Sequence, residues 1–361
     1  MYDIGIIGAG PAGATLARLL ADRYRVLLLD SGRQKCCGGI LSQSAQKVLA
    51  KLKLTLPKHL LVEPQPSAVT IMDWDSQLVR SYARQYINFD RTAFDRWLLS
   101  LVPQSVDVRH NAVYQHSEGY GESLTLHFRE NDEPKTAQVR WLVGADGAFS
   151  TVRREFFANE PTPKRYVAVQ HWFERDTVSV APNCGIDVWN DYIGIFNSAL
   201  TDFYCWTIPK NGQIILGGAF PLQESRGLCA RHNASAAMQT IVAKLESQGL
   251  HLGFPIKREA GQIVRPLHSS SLCFGNAKIM LAGEASGLIS PSGAEGISGA
   301  LASALHLAEA FSPEGFDPAL YRHLLRKRLW QLWQSRVKVP FMFHPTLRKF
   351  VLLSGLTALR R

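Results

Sequence analysis

The residues with the clearest chemical purpose stand within the first thirty positions. Gly8, Gly10 and Gly13 form the pattern G-x-G-x-x-G after an apolar run, and Asp30 closes a second apolar run. The first glycine permits a tight turn, the second lets the backbone approach a pyrophosphate, and the third lets a helix lie close to a sheet. Helix N-terminal N–H groups face the phosphates, and the acid accepts hydrogen bonds from a ribose. The pattern suits FAD and NAD(P) alike. The cofactor-binding candidates here are Gly8, Gly10, Pro11, Ala12, Gly13 and Asp30.

Two later turns also combine glycines with an acid at the end of an apolar run. Asp146 and Gly147 belong to a Gly-Ala-Asp-Gly turn. A carboxylate there reaches a ribose or ribityl hydroxyl, although an ordinary loop with a capping Asp has the same pattern. Gly283 and Glu284 precede a loop rich in Gly, Ser and Pro, and we expect a helix to begin near Gly293. That helix N-terminus again suits a negatively charged ligand group.

Regular elements must position these turns. Strands are predicted from apolar runs at 4–7, 26–29, 106–113, 124–128, 139–143 and 277–281. Helices are predicted over 14–20, 42–52, the segment capped by Asp90, 150–154 and 235–248. Residues 68–72 and 78–82 flank a polar turn and predict a β-hairpin.

Residues 166–219 have a different character. Strand-like pieces alternate with turns and are dense in aromatic residues, which predicts an antiparallel sheet. The aromatic side chains either fill a core or line an apolar substrate pocket.

The composition of the chain limits its possible domain number, cellular compartment and membrane topology. A chain of 361 residues, 46% hydrophobic and 19% charged, suits about two globular domains. The six cysteines lack metal-type spacing, so we expect reduced thiols and no metal. No run approaches ~18 apolar residues, and the first strand follows residue 1 almost directly. We therefore expect a cytoplasmic protein with no signal peptide and no membrane span.

The net charge of +10 is concentrated at one end of the chain. Residues 318–361 hold ten Lys or Arg and no acid, whereas residues 1–317 hold 30 bases and all 30 acids. Interleaved Trp and Phe suit an anionic membrane surface, so peripheral association is one expectation. A solvated basic helix packed on the rest of the chain is the alternative. No nucleic-acid-binding motif accompanies the charge, so we expect no nucleic-acid partner.

Together, the segments GAGPAG, GADGAFSTVRR and GEASGLISPSGAEGI resemble the three FAD motifs of one flavoprotein superfamily. This superfamily includes p-hydroxybenzoate hydroxylase-type monooxygenases and geranylgeranyl reductases. The segments Cys37–Leu41 and Tyr204–Lys210 resemble motifs of the reductase branch, and the whole run is most similar to bacterial CbrA-type proteins. The resemblance implies that FAD is the cofactor, and it favours FAD over NAD(P) at the first motif.

The resemblance also implies roles for particular residues. Arg91 would lie near the phosphates or the flavin, and Gly283 and Glu284 would approach the ribityl chain. Glu284 stands where the family usually has Asp. Backbone N–H groups around Gly293, Gly296 and Ile297 would face the flavin N1–C2=O edge. Near the reacting face, Cys37 is the catalytic candidate, either as a proton donor or as a pocket wall, with simple packing as the alternative. The substrate-pocket candidates are Cys37, Gly38, Gly39, Tyr204 and Trp206.

The implied fold class is α/β, a Rossmann-like FAD-binding domain with an inserted antiparallel-sheet substrate domain and a helical C-terminal tail. The expected FAD-binding domain is discontinuous and comprises 1–62, 86–165 and 265–317. The expected substrate domain comprises 63–85 and 166–264, and the basic, aromatic tail comprises 318–361.

The expected function is reduction of a double bond in an apolar, isoprenoid or lipid-like substrate by hydride from reduced flavin. An FAD-dependent monooxygenase is the first alternative, and a non-catalytic FAD- and lipid-binding membrane-surface factor is the second. A halogenase fits less well, because Tyr204 replaces the first Trp of the Trp-x-Trp-x-Ile-Pro signature. No second G-x-G-x-x-G follows a strand, so NAD(P)H would act only as a transient electron donor.

Overall fold

The chain is described by a computed structural model. The structure describes residues 1–119, 121–182, 186–222, 227–356 and 358–359, with only the backbone for 227–233. Cys184 and Cys229 therefore lie outside the described side chains.

Strands provide most of the framework. In chain order they are β1 (Tyr2–Ile7), β2 (Val26–Leu29), β3 (Ile40–Leu41), β4 (Ala68–Asp73), β5 (Leu78–Ala83), β6 (Ile87–Asn88), β7 (Asp107–Arg109), β8 (Ala112–Glu118), β9 (Leu124–Glu130), β10 (Glu133–Gly144), β11 (Lys164–Glu174), β12 (Ser179–Val180), β13 (Tyr192–Phe196), β14 (Cys205–Lys210), β15 (Gln213–Pro221), β16 (Leu250–His251), β17 (Lys257–Arg265), β18 (Ile279–Leu281), β19 (Phe311–Ser312) and β20 (Gly315–Phe316).

Helices pack on both sheets and form the end of the chain. In chain order they are α1 (Pro11–Leu20), α2 (Gln43–Lys51), α3 (Arg91–Ser100), α4 (Thr151–Phe156), α5 (Gly227–Ser247), α6 (Ile297–Ala310), α7 (Pro318–Leu324), α8 (Arg326–Phe343) and α9 (Pro345–Ser354).

The first sheet carries the glycine-bearing turns at one edge. Its strand order is β7-β2-β1-β10-β9-β8, and β18 also pairs with β10. The strands β7, β2, β1, β10 and β18 are mutually parallel, so their carboxyl ends meet on one side. Ligands of open α/β sheets bind outside such carboxyl ends. The turns after β1, β10 and β18 therefore converge.

The second sheet stands apart, in the order β17-β11-β15-β14-β13-β4-β5. Its strands are antiparallel except for β13 and β4, which pair in parallel. One face packs on α5 through an apolar cluster that includes Phe173 and Leu216. The other face carries Tyr204, Trp206 and Ile208, and it contacts the tail through Met342 and Phe343.

The α/β fold class with a helical C-terminal region is confirmed. Three details of the sequence prediction are wrong. The single strand expected over 106–113 is two strands, β7 and β8, because the chain turns at Asn111 with a φ of 52°. The helix expected near Gly293 begins at Ile297, and α5 begins at Gly227, before the expected 235. No helix in the described ranges is long and apolar enough to cross a membrane.

Candidate active site

One large cavity of about 1040 Å³ joins the two sheets and the tail. It begins at the turn after β1, where Gly8 and Gly10 lie. It passes Cys37 and the second sheet, and it reaches Leu356 beyond α9. Ligand pockets of this kind occupy roughly 300–1,000 Å³, so the volume suits a large cofactor together with a substrate.

The three glycines of the first turn have different structural roles. Gly8 has a φ of 100°, which only glycine adopts easily. A Cβ on Gly13 would lie 1.8 Å from the Gly8 carbonyl oxygen, so α1 can approach β1 only with glycine there. A Cβ on Gly10 would meet no atom within 4 Å, because Gly10 faces the cavity. No described side chain caps α1, so its first N–H groups have no side-chain acceptor.

Asp30 lies at the end of β2, within the cavity wall. Its carboxylate accepts a hydrogen bond from the Gly32 N–H over 3.0 Å and lies 3.3 Å from His110 Nδ1. The carboxylate therefore keeps acceptor capacity beside the glycine turn, as a ribose-binding acid needs.

Asp146 combines a structural contact with an unpaired oxygen. Its Oδ2 accepts hydrogen bonds from the N–H groups of Thr151 and Val152, over 2.6 and 3.2 Å, at the start of α4. Its Oδ1 is buried in the cavity wall without a partner among the described residues. Burial raises the pKa of Asp146. A hydroxyl donor from a bound cofactor would satisfy Oδ1, so this site fits FAD.

Gly283 and Glu284, in the third turn, have different structural roles. Gly283 lies behind the cavity wall, where a Cβ would be 3.2 Å from Ala12 Cβ, so it allows close packing of α1. Glu284 lines the cavity, accepts a hydrogen bond from the Val264 N–H over 3.2 Å and pairs with Lys35. Its carboxylate is thus already engaged by two partners.

The loop before α6 supplies backbone groups to the cavity. Gly293, Gly296 and Ile297 all line it, and no described side chain caps the N-terminus of α6. Between them, Ala294 has a φ of 52°, a conformation that residues other than glycine adopt at some cost. The unpaired N–H groups of this helix start fit a negatively charged part of FAD.

Next to this loop, Glu295 accepts hydrogen bonds from three hydroxyl groups. They come from Ser42, from Ser44 over 2.6 Å and from Ser298 over 2.8 Å. These contacts join the start of α2 to the start of α6 beside the cavity. Sequence reasoning missed Glu295, because Ser42 and Ser44 lie 253 and 251 residues earlier in the chain.

Arg91, at the start of α3, connects the cofactor end of the cavity to Cys37. Its Nε donates a hydrogen bond to Asp95 Oδ1 over 2.9 Å. Burial acts to lower the pKa of Arg91, but Asp95 and Cys37 more than offset it, so this pKa lies above its ordinary value. The guanidinium therefore stays charged beside the Cys37 thiol.

Lys210, at the end of β14, holds the turn from Cys37 to Gly39 in place. Lys210 Nζ donates hydrogen bonds to the carbonyl oxygens of Gly39 and Phe89, over 3.0 and 2.8 Å, and to Asn88. Gly39 has a φ of 63°, and a Cβ there would lie 2.2 Å from the Phe89 oxygen. Burial lowers the pKa of Lys210 to about 7. The lysine of the Tyr204–Lys210 segment is thus a positioning residue.

Tyr204 and Trp206 of β14 line the cavity on the second sheet. The Tyr204 hydroxyl donates a hydrogen bond to the Gly293 carbonyl over 3.1 Å, which joins the two sheets across the cavity. Burial raises the pKa of Tyr204 to about 12. Trp206 Nε1 is buried without a partner among the described residues.

A further cavity residue, Gln170 of β11, was missed from the sequence. Its side chain is 1% exposed, and its Oε1 has no partner among the described residues. Gly217 of β15 lies in register with both Gln170 and Trp206. The indole fills the space above Gly217, where a Cβ would lie 2.5 Å from the ring. Gln170 and Trp206 therefore lie on either side of Gly217, on the two strands that flank β15.

Seventeen of the predicted site residues line this one cavity. They are Gly8, Gly10, Pro11, Ala12, Asp30, Cys37, Gly38, Gly39, Arg91, Asp146, Gly147, Tyr204, Trp206, Glu284, Gly293, Gly296 and Ile297. Gly13 and Gly283 lie behind the wall, as described above. At the edge of the first sheet, on β8 and β9, His116, Glu118 and His127 offer ligand atoms within 4.8 Å of one another. The expectation of no metal stays a prediction.

This arrangement matches a known class of protein. A family profile described as an FAD binding domain matches residues 1–181. The chain therefore belongs to the FAD-binding family that this profile defines, and FAD is its cofactor.

The chain also belongs to the CbrA family. It is 35% identical over 364 residues to protein CbrA of Escherichia coli O6:H1, which covers 98% of this chain and 93% of that protein. The resemblance read from the sequence is thus confirmed.

Solved structures share the fold. A geranylgeranyl bacteriochlorophyll reductase-like protein from Thermoplasma acidophilum superposes with a TM-score of 0.75 at 19% identity, over 96% of this chain and 90% of that chain. The p-nitrophenol 4-monooxygenase PnpA from Pseudomonas putida superposes with a TM-score of 0.64 at 14% identity, over 100% and 99%. Flavin-dependent halogenases have the same fold. A reductase-like protein, a monooxygenase and halogenases therefore share this fold.

Proposed function

We propose that the chain is an FAD-dependent reductase that adds hydride to a double bond of an apolar, isoprenoid or lipid-like substrate. The observation that carries this proposal is the continuity of the cavity. Beyond the FAD turns it extends past Cys37 into a chamber with aromatic and aliphatic walls. The apolar wall residues include Val69, Ile71, Tyr192, Phe196, Ile208, Ile263, Met342 and Leu352.

The pairing of Arg348 with two acids supports an apolar substrate. Arg348 lies in the wall, but its guanidinium is paired with Asp73 and Asp75. It therefore helps to hold the wall together and is not a free charge for an acidic ligand. A long hydrocarbon would gain roughly 25 cal/mol for each Å² of apolar surface that it buries there.

Two unpaired polar atoms near the Cys37 turn would favour a substrate that has a polar group at one end. Trp206 Nε1 is an unpaired donor and Gln170 Oε1 an unpaired acceptor, both buried. An unpaired buried polar group costs free energy, so a substrate hydroxyl that reaches either atom would bind favourably. Gln170 lies close to the Cys37 turn, because its Nε2 is 3.7 Å from where a Gly38 Cβ would be. The pair thus orients one end of the substrate.

Residues of the chain would position the reactants and deliver a proton. When bound, reduced FAD supplies the hydride, and the protein sets its geometry and field. Arg91 lies beside Cys37, and Lys210 holds the Cys37–Gly39 turn from below. Cys37 is our candidate for the proton donor, with water as the competing donor.

An anaerobic reoxidation experiment tests the reaction type. The FAD-loaded protein would be reduced with dithionite, NADPH or NADH and then mixed with polyprenyl lipids without oxygen. Reoxidation of the flavin with saturation of the lipid supports the reductase. Turnover only in air, with oxygen built into the product, would replace it by the monooxygenase. A flavin that no reductant and lipid turn over would favour the non-catalytic lipid-binding factor.

The role of Cys37 is tested separately. Cys37→Ala should slow lipid-dependent reoxidation at least tenfold, with flavin reduction by dithionite unchanged. Cys36→Ala is the matched control, because burial raises the pKa of that neighbouring thiol to about 12. Equal rates in both variants would leave Cys37 as a wall residue only.

The electron donor and the location belong to the same proposal. NAD(P)H would bind transiently, because no second glycine motif follows a strand. The protein would act in the cytoplasm and at the inner face of the membrane, where an apolar substrate resides.

A further inference from the structure

Large apolar side chains form a row on the outer face of α8. They are Trp330, Trp333, Val337 and Phe341, each about half exposed. Their spacings of three, four and four residues place them within about 80° of the helix circumference. The rings of Trp330 and Trp333 stack with centroids 4.7 Å apart. Single exposed apolar residues are common, but a continuous row marks an interaction surface.

The row continues onto α9 and the residues after it. Phe350 is 66% exposed, Leu353 is 52% exposed and Leu356 is 77% exposed, and Val351 is also exposed. We call these α8 and α9 residues together the apolar face. Its opposite side is anchored, because Leu332, Arg348 and Leu352 are buried.

The apolar face surrounds an opening of the cavity. Phe341, Val351 and Leu356 are exposed to solvent and also line the cavity. Tyr82 of β5 and Arg84 just after it also line the cavity, and the chain beyond α9 pairs with β5 through Tyr82 and Ala358. A molecule that lies on the apolar face therefore has a direct route into the chamber.

The exposed charges on α7, α8 and α9 have one sign. Arg322, Arg326, Lys327, Lys338 and Lys349 are exposed on α7, α8 and α9. Residues 318–361 contain no acid that could neutralise them. Lys327 and Lys338 flank the row on one side, about 60–80° around the helix from Trp330. Exposed aromatics with flanking bases match the headgroup region of an anionic bilayer, where both kinds of side chain are stabilised.

We propose that the apolar face docks on an anionic lipid membrane, with the opening at Phe341, Val351 and Leu356 facing the bilayer. A lipid-like substrate would then enter the chamber without crossing water. The purpose of this opening rests on the proposed function, but docking itself can be measured without any substrate.

Vesicle binding by the full-length, FAD-loaded protein tests the docking. We expect binding to phosphatidylcholine vesicles that contain phosphatidylglycerol, and little binding to phosphatidylcholine alone. The double variant Trp330→Glu, Phe350→Glu should bind at least tenfold more weakly. Phe254→Glu is the matched control, because Phe254 is 90% exposed but lies outside the apolar face. The flavin spectrum reports whether each variant is folded. Equal binding by both variants, or no binding to anionic vesicles, would overturn the proposal.

The orientation is tested with brominated lipids, which quench nearby tryptophan fluorescence. In the background Trp330→Phe, Trp333→Phe, the change Leu356→Trp should restore quenching, whereas Phe254→Trp should not. If the protein binds but neither Leu356→Trp nor Phe254→Trp is quenched, the opening does not face the bilayer. If the apolar face instead joins two copies of the chain, the wild type is a dimer in solution. The double variant Trp330→Glu, Phe350→Glu would then be a monomer, and its vesicle binding would equal that of the wild type. Loss of reoxidation activity with docking intact would count against the proposed reductase alone.

Discussion

Lys210 Nζ donates a hydrogen bond to the carbonyl oxygen of Gly39 over 3.0 Å, across 171 positions of sequence. With its contacts to Asn88 and Phe89, this bond ties β14 of the second sheet to the turn that carries Cys37. The proposed reacting face is thus positioned by a buried lysine that does not line the cavity.

The Lys210 contact predicts a pH-dependent stability. Burial lowers the pKa of Lys210 to about 7, below the ordinary 10.5. Between these values the unfolded chain binds more protons, so stability rises with pH by up to about 1.4 kcal/mol per unit. The free energy of unfolding of the wild type, minus that of Lys210→Met, should therefore increase from pH 7 to pH 10. Lys338→Met, at an exposed site, should show no such trend. A flat difference for Lys210→Met would mean that its pKa is near normal.

Substituting Gly13 and Gly10 should cause two different defects, one in stability and one in FAD binding. Gly13→Ala places a Cβ 1.8 Å from the Gly8 oxygen, so it should lower the free energy of unfolding by about 1–3 kcal/mol. Gly10→Ala meets no protein atom within 4 Å, so it should fold normally but bind FAD at least tenfold more weakly. Urea unfolding and flavin titration separate the two outcomes. Normal FAD affinity in Gly10→Ala would show that the cofactor does not approach this backbone.

Substitutions of Asp146 should also separate the effect on folding from the effect on FAD binding. Asp146→Ala removes the contacts to Thr151 and Val152 and should cost about 1 kcal/mol, with weaker FAD binding. Asp146→Asn keeps one acceptor oxygen for the helix, so it should be more stable than the alanine variant and still bind FAD poorly. Ser150→Ala is the control, because Ser150 caps the same helix outside the cavity wall. FAD affinity that falls equally in Ser150→Ala would make the effect of Asp146 purely structural.

The local turns were predictable from the sequence, whereas the contacts between them were not. Gly8, Gly10 and Asp146 stand in short patterns whose backbone requirements are local. Lys35 and Glu284 meet across 249 positions, and Gln170 approaches Trp206 only because both strands flank β15. Such pairings depend on sheet order. The parallel pairing of β4 with β13 was unforeseen because nothing local distinguishes it from the antiparallel pairs around it.

We expect the ion pairs of Arg348 to hold α9 in place beside the cavity opening. Its guanidinium donates a hydrogen bond to Asp73 Oδ1 over 2.8 Å and also contacts Asp75, and the side chains of Arg348 and Asp73 are at most 5% exposed. Removing one partner of a buried ion pair costs about 3–5 kcal/mol, because it leaves an uncompensated charge. Arg348→Met should therefore lower the free energy of unfolding by that amount and expose α9 to proteases.

The neighbouring Lys349→Met is the matched control for Arg348→Met, because Lys349 is exposed and should change stability by less than about 0.5 kcal/mol. The double variant Arg348→Met, Asp73→Asn should recover part of the loss, because it removes the unpaired carboxylate. Urea unfolding and limited proteolysis measure both effects. If Arg348→Met is as stable and as protease-resistant as Lys349→Met, apolar packing through Leu352 must hold α9 without the ion pair.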